Sequence, residues 1–200
     1  MPVNTRPYRK IALAGGLVLL PIGWTLSHHG MSGHMAAHMI AVAIAAPLLA
    51  LALQGGRYDP ATRWPRLAAP LPAAMIEAVI VWGWHVPALR GLAMHRPIAS
   101  IAEQASFLAA GLMLWSAVLA PRHRAAGVGA LLVTSMHMTL LGALIGLAPR
   151  PLYMHQGPEA LADQQVAGVI MLLVGGIAYL VGGLAMLGRL LHTRPEARPA

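Results

Sequence analysis

The chain has 200 residues, of which 58% are hydrophobic and 10% charged, and its mean hydropathy is +0.64. Soluble domains carry about 25% charged residues, so an ordinary soluble fold is excluded and lipid becomes the main solvent. The formal charge of +8 lies in short loops between apolar runs, which argues against nucleic acid as a partner, and the absence of cysteine excludes disulfides, thiolate metal sites and thiol redox chemistry.

A helix crossing roughly 30 Å of hydrocarbon needs about 20 mostly apolar residues. Six stretches approach that length: Lys10 to Ser27, His34 to Gln54, Pro70 to Leu89, Ala99 to Ala120, Ala125 to Leu147 and Gln164 to Leu187. They are continuously apolar and lack alternation, which predicts helices and not strands. The expected fold is all-α, a polytopic transmembrane helical bundle. One membrane domain covers 10–188, between an N-terminal segment 1–9 and a disordered tail 189–200.

Arg6, Arg9 and Lys10 precede the first stretch as in a signal peptide, but no small-x-small site follows. Pro21, Trp24, His28 and His29 stand where one would fall, so an uncleaved helix is expected. Pro21 and Pro47 should kink their helices. Gly142 and Gly146 form a GxxxG pattern, and Gly175, Gly176, Gly182 and Gly183 narrow one side of the last helix, both suited to close packing. With the N-terminus inside, the inner loops hold Arg6, Arg9, Lys10, Arg57, Arg63, Arg66, Arg122, Arg124, Arg189, Arg194 and Arg198, against Arg90, Arg96 and Arg150 outside. Both termini are therefore expected in the cytoplasm.

The histidines distribute the opposite way. His28, His29, His34, His38, His85, His95, His137 and His155 fall in the outer half, its loops or near mid-membrane, and only His123 and His192 fall inside. Imidazole in hydrocarbon is costly unless paired or ligated. In the second stretch, 100° per residue gathers Met31, His34, Met35, His38 and Met39 within an arc of about 140°. Imidazole suits Cu(II) and Zn(II), thioether suits Cu(I), and a mixed set without cysteine points to copper; the alternative is methionine filling gaps beside interfacial histidines. His34 and His38 have the spacing of a zinc-protease helix, but Met35 stands where that chemistry needs a glutamate.

The third stretch carries Trp82-Gly83-Trp84-His85-Val86-Pro87, where Pro87 should kink or end the helix; His85 is a ligand or an interfacial residue. Glu77, two turns inward, is protonated, paired or part of a polar path. Glu103 opens the fourth helix as an electrostatic cap, a hard ligand, or a group orienting a ligating histidine. In Met136-His137-Met138 successive residues point 100° apart, so His137 alone is taken as the ligand. Asp163 is an N-cap of the sixth helix or lies behind the ligands, and Met154 and His155 are ligands or solvated loop residues. The candidate metal ligands are thus His34, His38, His85 and His137, assisted by Met35, Met39 and Glu103, with Asp163 and Glu77 in a supporting or polar-path role. Two other readings use the same residues: a b-type haem carrier with paired axial histidines, and a metal or proton transporter built on Glu77 and His137.

His34-Met35-Ala36-Ala37-His38-Met39 followed by Pro47-Leu48-Leu49, then Trp84-His85-Val86-Pro87, Glu103 through Phe107, and Leu161-Ala162-Asp163-Gln164-Gln165 with Ala167-Gly168 and Met171, resemble in this order the CtaG-like family of multi-pass membrane proteins. These proteins assist assembly of cytochrome c oxidase. The resemblance implies an accessory role at the oxidase copper site, without catalytic turnover. It also implies oxidase subunits as partners and a bacterial cytoplasmic membrane location. The chain departs from the family pattern at Gln104, where a histidine is common, and at Leu172, where tryptophan is frequent.

Overall fold

A computed structural model describes residues 6–153 and 158–192. The expected tail beyond 192, Met154 and His155 lie outside the described residues. Within them every regular element is helical, as apolar spans require, because a segment in lipid must satisfy its own backbone. Helix α1 is Arg6–Leu26, and α2, Gly30–Met39, continues through a π-helical turn at Ile40–Ala45 into α3, Ala46–Leu53. A short α4 at Pro60–Arg63 precedes α5, Pro70–Trp84, and α6, Pro87–His95. Then come α7, Pro97–Leu119, and α8, Arg124–Gly146. Finally α9, Ala160–Ile170, passes through a second π-helical turn at Met171–Gly175 into α10, Gly176–His192.

Pro60, Pro70, Pro87 and Pro97 each open a helix, where a missing N–H costs nothing. Among the described residues, five helical segments are long and apolar enough to cross a membrane, and a sixth crossing results if α5 and α6, bent by 71°, form one span. The third span therefore does not run on to Leu89 as one helix. It stops at Trp84, and Pro87 starts a new helix in another direction. Pro47 follows a widened π-helical turn, and Pro21 lies within uninterrupted α1.

The bundle has two distinct ends. At one, Arg9 donates to the carbonyl of Gln54, Gln54 Nε2 donates to Leu119 O at 2.8 Å and Arg122 Nη2 donates to Ala61 O at 2.8 Å. These bonds gather the start of α1, the end of α3 and the α7–α8 junction beside the loop carrying Arg57, Arg63 and Arg66. The opposite end holds the start of α2, the α5–α6 corner and the start of α9. Helices α8 and α9 meet backbone to backbone: a Cβ on Gly168 would lie 2.5 Å from Gly146 Cα, and one on Gly142 would lie 3.0 Å from Gly168 O. The GxxxG pattern thus serves close packing, as its spacing predicts.

Candidate metal centre

The site begins with the way α2 starts. Gly30 turns the chain at φ +71°, and the carboxylate of Asp163, from the first turn of α9, accepts from Met31 N at 2.6 Å, from Ser32 N at 3.2 Å and from the Ser32 hydroxyl. Asp163 therefore caps α2 across the bundle and is not the N-cap of its own helix, a position held by Glu159. A Cβ on Gly30 would come within 2.6 Å of Asp163 Oδ2, so glycine is needed for both the turn and the approach. The adjacent Gln164 accepts from Leu152 N at 2.6 Å and donates to Ile145 O at 3.1 Å, tying α9 to the end of α8. Together they fix the rotation of α2, and with it the direction of His34 and His38.

His85 ends α5 and supplies the facing ring. Its Nδ1 lies 2.7 Å from Val81 O; a carbonyl only accepts, so the proton of the neutral ring sits on Nδ1 and the lone pair on Nε2. Tyr153 donates its hydroxyl to His85 O at 3.1 Å. Burial pushes the Tyr153 hydroxyl up to about 12, against the downward pull of Arg90, and keeps it a donor.

The His85 ring centroid stands 5.6 Å from that of His34 and 5.2 Å from that of His38. Phe107 of α7 stacks on His38 at 4.0 Å and holds it in place. Both nitrogens of His38 and Nε2 of His85 are buried without a hydrogen-bond partner. Buried polar atoms are nearly always satisfied, so such nitrogens call for a ligand. Two imidazoles on one ion, each with a metal–nitrogen bond of about 2.0 Å, place their centroids roughly 5.2–5.5 Å apart at coordination angles of about 110–120°, a range that includes the His38–His85 spacing and not that of His34–His85. Among the described residues no three His, Asp or Glu side chains converge to hold an ion.

His137 of α8 has both nitrogens buried and unpartnered. Its neighbours diverge as the helical angle requires, Met136 exposed and Met138 buried. Glu103 lies nearly two turns inside α7, which begins at Pro97, so it does not cap that helix. Its Oε2 accepts from Arg90 Nη1 at 3.0 Å and stands 3.7 Å from His34 Nδ1. Arg90, expected in an outer loop, is only 5% exposed; what sequence reasoning missed is that Pro87 folds α6 back over α7 and buries this guanidinium. The one available signal was an arginine in a segment too short to span.

The methionines divide from the histidines. Met35 and Met39 are buried, but a Cβ on Gly175 would lie 3.3 Å from Met39 Sδ and 3.4 Å from Met138 Cβ, so Met39 packs toward the second π-helical turn. Gln104 lines a separate apolar cleft with Trp24 and Ala37. Glu77 belongs to another cluster: its Oε1 accepts from the Tyr179 hydroxyl at 2.7 Å, and Tyr179 stacks on Trp115 with centroids 5.7 Å apart. Trp115 Nε1 donates to Val42 O at 3.0 Å, a carbonyl within the first π-helical turn.

The sequence model of the family described as cytochrome c oxidase caa3 assembly factor matches residues 6–193, nearly the whole chain. No curated protein and no solved structure matches it significantly.

Proposed function

The chain belongs to the cytochrome c oxidase caa3 assembly factor family, and from that premise we propose that it carries copper, as Cu(I), to the oxidase during assembly. Copper is cargo in this reading, and the protein has no turnover of its own. His38 and His85 hold the ion, with His34 and His137 able to exchange onto it as it arrives or leaves. Met35 lies on the same helix as a soft reserve ligand, and Met39 supports it from the packed side. The histidine end faces the outer side of a bacterial cytoplasmic membrane, following the arginine asymmetry, and oxidase subunits are the partners there.

One observation carries the proposal: two buried imidazoles with ring centroids 5.2 Å apart, in which both nitrogens of His38 and Nε2 of His85 have no hydrogen-bond partner. A buried site lined by neutral imidazoles favours a soft, singly charged ion, because a divalent ion would bring more uncompensated charge into low dielectric. Chelator-washed protein reloaded with Cu(I) is expected to take up about one equivalent, the stoichiometry of a single imidazole pair, and His38→Ala to lose it. Equal copper in wild type and variant, by metal analysis, removes the assignment.

Haem b finds less support. Axial imidazoles on opposite faces of one iron put their centroids about 6 Å apart with a macrocycle between them, whereas His38 is 5.2 Å from His85 and already stacked on Phe107. A Soret band in protein from a haem-replete host would reverse that preference.

A further inference from the structure

A second group of soft ligands lies at the histidine end, beyond the buried imidazoles. A cleft of about 340 Å³ is lined by His28 from the α1–α2 turn and by Met94 and His95 from the last turn of α6, with Trp24, Gly30 and Arg90 also in its wall. His95 Nδ1 lies 2.7 Å from Gly91 O. This is the arrangement seen at His85, and it again leaves the Nε2 lone pair available. His28 is held edge-on to Trp24, centroids 5.6 Å apart at 83°. Both histidines are exposed, so an ion reaches them without opening the bundle.

The cleft connects to the buried site through one ion pair. Arg90 lines the cleft and donates to Glu103, and Glu103 stands 3.7 Å from His34 Nδ1. No carboxylate is among the lining residues, so nothing there attracts Mg²⁺ or Ca²⁺, which need oxygen ligands. Two imidazoles and a thioether select Cu(I).

We propose that this cleft is a loading site in which His28, Met94 and His95 take up Cu(I) before it passes Glu103 to the buried imidazoles. The transfer is ligand exchange alone: nitrogen and sulfur bonds to the ion are replaced by nitrogen bonds, and its oxidation state does not change. The inference rests on the buried histidines being the destination, but the cleft is tested separately.

The test uses the full chain in lipid nanodiscs with Ag(I) as a redox-inert probe, read by quenching of tryptophan emission assigned to Trp24 with Trp24→Phe. Quenching is expected in wild type and in His38→Ala. In the His28→Ala/His95→Ala double variant the affinity for that event should fall at least about tenfold, the lower end of what altering a metal site's surroundings costs. Cu(I) loading should slow while the final copper content stays at the wild-type level. The substituted residues are exposed, and an unchanged melting temperature verifies folding. Undiminished quenching or an unchanged loading rate in the double variant overturns the loading site. Unchanged copper content in His38→Ala overturns the buried destination and leaves the Ag(I) quenching intact, so the two failures are told apart.

Discussion

Two of the buried polar clusters in this bundle differ in how their hydrogen bonds are met. Around Glu77, the carboxylate takes the Tyr179 hydroxyl, Tyr179 stacks on Trp115, and the Trp115 N–H finds Val42 O. Around His38, two rings face each other with nitrogens that nothing in the protein fills. A polar group buried in lipid costs several kcal/mol when unmet. The first cluster meets much of that cost internally, although Glu77 Oε2 lacks a partner, and so helps hold helices together, whereas in the second both nitrogens of His38 go unmet.

The contrast can be broken most forcefully at Arg90. Arg90→Ala leaves Glu103 buried without its cation and is expected to cost about 3–5 kcal/mol, as for other broken buried pairs, seen as a large drop in melting temperature in detergent. Combining it with Glu103→Ala should restore much of the loss; a double variant no more stable than the single would show that the pair is not the cause. Tyr179→Phe removes the donor to Glu77 and should cost about 1–3 kcal/mol while copper content is untouched. A loss of copper in that variant would merge the two clusters into one functional unit.

Asp163→Ala uncaps α2 and should cost about 0.5–2 kcal/mol, with faster hydrogen exchange at the amides of Met31 and Ser32. Protection unchanged at those two amides would deny Asp163 its capping role. The smallest loss of stability is expected for His38→Leu, none or a gain in the metal-free protein, because an apolar group of similar size replaces buried nitrogens without partners. That variant should nonetheless lose its copper, the reverse of Tyr179→Phe. Large destabilisation of metal-free His38→Leu would mean that the ring is structural.

The spans and their number were legible because apolar length is a one-dimensional property, and so was the face shared by His34 and His38, which follows from helical spacing alone. The meeting of His85 with that face depended on the α5–α6 bend at Pro87. Sequence marked the position of that bend but gave no angle. Arg90 was misplaced for the same reason: its burial follows from where α6 folds back, and charge counting treats every short segment between spans as solvated. Asp163 has the chemistry of a cap, but the Met31 amide it takes lies 132 residues earlier, a pairing that no local pattern encodes. Met39 was assigned by its angle on α2, and its packing against Gly175 depended on a neighbour whose position the angle does not contain.

The reach of Asp163 also sets an order of events during synthesis. The helix carrying His34 and His38 enters the membrane early, but the carboxylate that secures its first turn arrives only with α9. A nascent chain halted after α8 has its imidazoles without the anchor that aims them, so His34 and His38 take their direction only once the final span is in place.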